Sequence, residues 1–156
     1  MCGITGLLYK DGTKPEKRLV QAMSRTLYHR GPDEEGYYFD SCIGFGIQRL
    51  KVIDLYTGTQ PIHNEDKTVW TILNGEIYNY IELRAELKKK GYQFRTNSDT
   101  EIVIKAYEAW GHDCQNKFNG MWAFVLWDKL KQELFISRDR IGEKPLHYSV
   151  FENTFV

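Results

Sequence analysis

The sequence is short of cysteine, proline and histidine. Three cysteines, four prolines and four histidines occur among 156 residues. Cys2, Cys42 and Cys114 make no CxxC pair and no zinc-type spacing with the histidines. That excludes a zinc ribbon and a disulfide scaffold, and no metal site is expected. An odd, widely spaced set suits a reducing compartment, so the cytoplasm is the expected location. Excess charge is also missing: Lys+Arg and Asp+Glu are both 21, for a formal net charge of zero. This excludes a nucleic-acid or anionic-membrane partner recruited by bulk charge. No apolar run approaches the roughly 20 residues of a membrane span. No signal peptide is expected, because only "CGITGLLY" is apolar before Lys10 and Asp11. Repeats, low-complexity tracts and Pro/Gly/Ser-rich linkers are absent as well.

What is present is an ordinary globular composition, 42% hydrophobic and 27% charged. The length suits one domain with one sizeable core. "GITGLLY" (3–9) reads as a buried strand ended by the turn "KDGT". A helix is expected next, with Thr13 and Glu16 as a capping box, Pro15 in the first turn and Gly31 as the stop. Leu19, Val20, Met23 and Leu27 fall on one face of it. "GYYFD", "CIGFGIQRL" and "VWTILNG" read as short strands. "YIELRAELKKKG" reads as a helix with an Asn79/Glu82 capping box and Gly91 at its end. "SDTEIVIKAYEAWG" reads as another, capped by Ser98 and Glu101, with Ile102, Val103, Ala106, Tyr107 and Trp110 as its apolar face. "GMWAFVLWD", "ELFISRD" and "PLHYSV" complete the strands. Clustered helices and hairpin-linked strands predict an α+β fold with antiparallel sheets.

Four places carry chemistry, each with two readings. Cys2 is either a small buried apolar residue or, once Met1 is removed, an N-terminal residue holding both a thiol and a free α-amine. That amine titrates near ~8 and is a base for the adjacent thiol. Asn74-Gly75 in "LNGEIYN" is either a hairpin turn or an oxyanion hole. The hole would use the Asn74 side-chain amide and the Gly75 backbone N–H. Asp99 is either an acid in the first turn of a helix or the partner of a ligand ammonium. Arg49 is either a solvated strand-end charge or a bidentate grip on a ligand carboxylate. Together Arg49 and Asp99 would recognise the α-amino-acid end of a substrate.

In this order and spacing the chain resembles the class II glutamine amidotransferases. Those are N-terminal-nucleophile hydrolases, and the likeness is strongest to the glutaminase domain of glutamine-dependent asparagine synthetases. The motifs are "MCGI", "HRGPD" (29–33), "RLKVID" (49–54), "NGEIYN" (74–79), "SDTE" (98–101), "GMWAFVLWD" (120–128) and "RDRIGEKPLHY" (138–148). The resemblance implies a four-layer αββα sandwich of antiparallel sheets between helical layers. It implies hydrolysis of glutamine to glutamate and ammonia through a Cys2 thioester, with Asn74 and Gly75 as the oxyanion hole. Arg49 and Asp99 would hold the α-carboxylate and α-ammonium. Leu50, Lys51, Val52, Ile53 and Glu76 would line the glutamine pocket, largely by backbone groups.

"HRGPD" receives no direct chemistry, although Arg30 and Asp33 are expected to brace the site. Cys42 and Cys114 match no motif and are expected to be structural. His147 stands where relatives often carry tyrosine. The resemblance also implies a domain truncated at its C-terminal end. Its partner is a C-terminal synthetase domain of the parent chain, in which ATP and Mg²⁺ would act; this domain itself needs no cofactor. A homodimer is compatible with it. The alternatives are an amidotransferase domain serving a sugar or peptide acceptor, and a non-catalytic glutamine-binding module.

Overall fold

The computed structural model describes residues 1–156. In chain order the elements are β1 (Gly3–Tyr9), α1 (Lys17–Arg25), a 3-10 turn (Tyr28–Arg30), β2 (Glu34–Phe39), β3 (Ile43–Arg49), β4 (Ile62–His63), β5 (Val69–Ile77), α2 (Tyr80–Lys89), α3 (Asp99–Trp110), a second 3-10 stretch (Gly111–Lys117), β6 (Gly120–Asp128), β7 (Glu133–Arg138), β8 (Val150–Phe151) and β9 (Thr154–Phe155). They divide into two compact units, Met1–Lys51 with Leu146–Val156, and Val52–Pro145. Each carries one antiparallel sheet with helix packed on it. The α+β expectation is met. No helix is long and apolar enough to cross a membrane.

In the first unit the sheet order is β2-β3-β1-β9-β8. β3 is buried at every position, and its alternation of glycine with bulky residues explains how. Successive side chains on a strand point to opposite faces. Gly44 and Gly46 lie on one face, beneath α1. A Cβ on Gly44 would stand 2.9 Å from the Phe39 ring and 3.1 Å from Val20. One on Gly46 would stand 2.9 Å from the Tyr37 ring and 3.1 Å from Ser24. The glycines therefore let α1 and the β2 aromatics close on the sheet. Gln48, the next residue on that face, donates from Nε2 to Ser24 Oγ at 3.1 Å. Ile43, Phe45 and Ile47 bury the other face, each contributing about 1.5–3 kcal/mol.

Four local expectations are corrected here. α1 starts at Lys17, and its N-cap Glu16 makes no side-chain cap. Pro15 lacks an N–H and pushes Lys14 out of the helical region. Thr13 instead donates its N–H to Asp11 Oδ1 at 2.9 Å. The buried face of α1 is Val20 and Ser24, while Leu19 is exposed. "PLHYSV" is not a strand before Val150. Ser149 and Val156 exchange backbone hydrogen bonds of 2.8 and 2.9 Å, which close a hairpin of β8 and β9 instead. β1 is only partly buried.

In the second unit the sheet order is β4-β5-β6-β7. Val69, Leu73 and Ile77 of β5 and Trp122, Phe124 and Leu126 of β6 share a core with Leu83 and Leu87 of α2 and the buried residues of α3. α3 is buried from Asp99 through Tyr107, beyond the expected apolar face. The two capping boxes form only in part. Ser98 Oγ accepts from Thr100 N at 3.1 Å, but Glu101 turns back to Arg95 N and Thr96 N at 2.9 and 2.8 Å. Asn79 is the N-cap of α2 by position. Its side chain instead ties Lys117 O and Asn119 N at 3.0 and 2.9 Å. Cross-chain ties win because buried backbone groups need partners wherever the tertiary packing leaves them bare.

The glycine argument predicts a contrast. Gly46→Ala should lower the unfolding free energy by about 1–3 kcal/mol, as overpacking does. Gly6→Ala should be neutral or stabilising, because its Cβ would meet Phe45 at an ordinary 3.6 Å. Urea titrations that rank the two alike would contradict the account.

Candidate functional site

The candidate residues fall into the two units. Cys2, Arg49, Leu50 and Lys51 belong to the first, and Val52, Ile53, Asn74, Gly75, Glu76 and Asp99 to the second. In the first unit Cys2 directly precedes β1 and is half-buried. Its thiol donates to the Leu50 carbonyl at 3.7 Å. Arg30 Nε donates to the Cys2 carbonyl at 3.1 Å. The buried Arg30 Nη2 makes no hydrogen bond. The nucleophile candidate is thus held through both its backbone and its sulfur.

Arg49 ends β3 and is 3% exposed. It stands directly across the β2–β3 ladder from Glu34. Arg49 Nη1 donates to Glu34 Oε2 at 2.9 Å, and Lys51 Nζ lies 3.5 Å from the same oxygen. A solvated strand-end arginine is ruled out; this guanidinium is buried and oriented by a carboxylate. Asp33 braces the same stretch. Its N–H donates to Arg49 O at 3.1 Å, and its Oδ2 accepts from Lys51 N at 2.9 Å. Gly31 lies against the same backbone: a Cβ there would stand 2.3 Å from Gln48 O. "HRGPD" therefore grips Cys2 with one residue and the Arg49–Lys51 backbone with two others.

In the second unit Asn74 and Gly75 lie inside β5, opposite Ala123 and Trp122 of β6. They form no hairpin turn, because the ladder with β6 runs unbroken from Val69 to Ile77. Gly75 has φ of 155°, and a Cβ there would stand 2.1 Å from Met121 O, so glycine is required. Asn74 is 3% exposed, and its side-chain oxygen has no hydrogen-bond partner. A buried polar atom left without a partner costs about 1–3 kcal/mol. This oxygen calls for a hydrogen-bond donor, from water or from a ligand.

Asp99 opens α3 and is 4% exposed. Its Oδ2 accepts from Ile77 N at 2.9 Å. Burial raises its pKa above the usual carboxylate range, against the lowering effect of the Ile77 N–H. Val52 is exposed and Ile53 half-buried. The next residue, Asp54, has φ of 54° and accepts from Thr57 N and Asn97 N, both at 2.8 Å. The Asp54 pKa falls: burial opposes ionisation, but the donated hydrogen bonds outweigh it. Asp54 thereby ties the loop after Val52 to the segment just before Asp99. All three cysteines are free thiols. Cys114 is buried and its pKa is pushed up to about 12, as befits an inert core thiol.

Sequence reasoning missed Glu34, Asp54 and Gln60, and gave Arg30 and Asp33 only a bracing role. Glu34 has no local signal, since its partner is fifteen positions away and only strand register brings them together. Gln60 in "TGTQP" reads as a loop residue, yet it is buried and bonded to β5.

Comparison with known proteins bears on this arrangement. Residues 1–156 match the family model described as glutamine amidotransferase domain. The chain is 44% identical over 156 residues to glutamine-hydrolyzing asparagine synthetase 1 of Bacillus subtilis (strain 168), covering 98% of this chain and 25% of that protein. It is 42% identical over 148 residues to glutamine-hydrolyzing asparagine synthetase 1 of Arabidopsis thaliana, covering 94% of this chain and 25% of that one. The chain thus spans about a quarter of the length of these curated relatives. Among solved structures, the allosteric regulatory enzyme of purine biosynthesis superposes with a TM-score of 0.78 at 16% identity, over 99% of this chain and 41% of that one. The glutamine phosphoribosylpyrophosphate amidotransferase of B. subtilis gives 0.59 at 17% identity, over 97% and 34%. Those two likenesses establish a shared fold. With its whole length matched and its motifs in register, the chain belongs to the glutamine amidotransferase domain family.

Proposed function

We propose that this domain hydrolyses the side-chain amide of L-glutamine and supplies the ammonia to an asparagine-synthetase-type partner domain. The observation that carries the reading is the full-length family match, with Cys2 held at the start of β1. Met1 is 48% exposed, so the Met1–Cys2 bond is open to an aminopeptidase. Its removal turns the Cys2 nitrogen into a free α-amine. That amine takes the thiol proton, and the thiolate attacks the amide carbon of glutamine. The oxygen that becomes negative is stabilised by the Asn74 side-chain amide and the Gly75 N–H. The ammonium returns its proton to the departing nitrogen, ammonia leaves and a thioester remains. Water, deprotonated by the same amine, then releases glutamate.

Arg49 holds the α-carboxylate with a guanidinium already oriented by Glu34. Asp99 holds the α-ammonium. Leu50, Lys51, Val52, Ile53 and Glu76 line the pocket. Protein groups carry all of this chemistry; ATP and Mg²⁺ belong to the synthetase half. The relatives' names support asparagine as the final product, and three free cysteines support a cytoplasmic setting.

The reading is tested on the purified chain by N-terminal mass and by ammonia release from glutamine. Loss of Met1, activity in the parent and none in Cys2→Ala are expected. A processed, folded parent that neither binds nor hydrolyses glutamine would refute it. Arg49→Ala should raise KM for glutamine while kcat changes little, since it removes binding shared by ground and transition states.

Asp99 predicts a pH signature. Its folded-state pKa is raised, so the native state holds this proton more tightly than the unfolded chain does. Ionising Asp99 therefore costs stability: the cost grows as pH rises from the ordinary carboxylate pKa through the raised one, and it vanishes only below the ordinary value, where both states hold the proton. Asp99→Asn keeps an acceptor for Ile77 N but removes the buried charge. It should raise Tm at neutral pH and raise KM for glutamine by about 10- to 100-fold, the weight of a charged hydrogen bond. In the parent, KM should climb on acidification through the raised pKa, and in Asp99→Asn it should stay flat. A lowered Tm in the variant, or a parental KM insensitive to pH, would contradict this.

A further inference from the structure

The backbone parity of β5 marks out one donor. Even-numbered residues turn their N–H and C=O toward β6, as Tyr78 N donating to Asn119 O at 2.7 Å and Lys129 N donating to Thr68 O at 2.8 Å demonstrate at the two ends. Odd-numbered residues turn theirs toward β4, as Asn64 N donating to Val69 O at 3.1 Å demonstrates. β4, however, pairs only with Trp70 and Thr71. Beyond Thr71 the edge that carries Leu73, Gly75 and Ile77 has no strand beside it. Two side chains take over. The Gln60 carboxamide accepts from Leu73 N at 2.7 Å and donates to Leu73 O at 3.4 Å, as the next peptide group of a longer β4 would. The Asp99 carboxylate accepts from Ile77 N at 2.9 Å. Gly75 N–H faces the same edge between them, where neither β4 nor β6 offers an acceptor.

We propose that Gln60 is a positioning residue for the oxyanion pair: with Asp99 it closes the open edge of β5 on both sides of Gly75 and reserves that N–H for substrate. The inference rests on the oxyanion role proposed above for Asn74 and Gly75. Gln60 is 5% exposed and spends its second amide hydrogen on Thr100 Oγ1 at 3.1 Å, next to Asp99. Its carboxamide is therefore fixed at three points, on the residue before Asn74 and the residue after Asp99. Without it Leu73 is released, and the peptide that carries the Asn74 side chain and the Gly75 N–H loses its anchor on that side.

The test compares Gln60→Leu and Gln60→Glu with the parent chain. Kcat and KM for glutamine are measured alongside inhibition by the γ-aldehyde analogue of glutamine, whose thiol adduct places an oxyanion where the tetrahedral intermediate has its own. Gln60→Glu retains the acceptor for Leu73 N and serves if Gln60→Leu fails to fold. Kcat should fall about 10- to 100-fold, short of or matching the loss of one oxyanion donor. KM should stay within about twofold, and aldehyde affinity should fall with kcat, as transition-state binding requires. Unchanged kcat and aldehyde affinity in a folded variant would overturn the proposal. So would a raised KM with kcat intact, which would place Gln60 with Asp99 in ammonium binding. Asn74→Ala, run in parallel, separates the two levels. If it leaves kcat and aldehyde affinity untouched, the oxyanion assignment itself fails; if it lowers both while the Gln60 variants do not, only the Gln60 inference fails.

Discussion

A main-chain N–H in a protein interior must find an acceptor, and in this protein that requirement is most acute along one edge of β5. The other edge is satisfied by nine consecutive register pairs with β6. The open edge has β4 for two residues, and then only side chains, Gln60 at Leu73 and Asp99 at Ile77. A continuous strand there would have consumed the Gly75 donor. Side-chain caps at Leu73 and Ile77 hold β5 extended and leave the intervening Gly75 N–H without a strand partner, as the proposed oxyanion role requires. The same economy accounts for Gly75 itself, whose missing Cβ lets β6 approach at Met121.

The first unit solves a different problem, which is to hold Cys2 still just ahead of β1. Cys2 is tied by Arg30 at its carbonyl and by Leu50 at its sulfur, and β1 behind it is paired with β3 from Gly3 to Leu8. β3 is in turn closed over by α1 through Gly44 and Gly46, and it ends in Arg49, locked to Glu34. The "HRGPD" segment ties these features together. Arg30 reaches Cys2, Gly31 lies against Gln48, and Asp33 bonds both Arg49 and Lys51. A motif with no reacting group thus braces both Cys2 and the Arg49–Lys51 backbone.

Much of this was legible in the sequence. Nine of the longer elements follow from hydrophobic period and punctuation, which act over a few residues. The errors share a cause. Thr13, Asn79 and Glu101 were assigned to local caps, but each had a nearer or deeper partner: Asp11 for the Thr13 backbone, Lys117 and Asn119 for Asn79, Arg95 and Thr96 for Glu101. Asn74-Gly75 has the chemistry of a turn, yet it sits in mid-strand because β6 supplies a full-length partner.

The sequence by itself determined the α+β class, the candidate residues and the family, because these depend on local pattern and on motifs kept in order along the chain. Only the tertiary structure decided that Arg49 is buried against Glu34, that Asp99 is a raised-pKa acid capping Ile77, and that Gln60 stands in for the missing strand beside Gly75. Each of these joins residues between 13 and 22 positions apart. Strand register and burial create such pairs, and no short stretch of sequence encodes them.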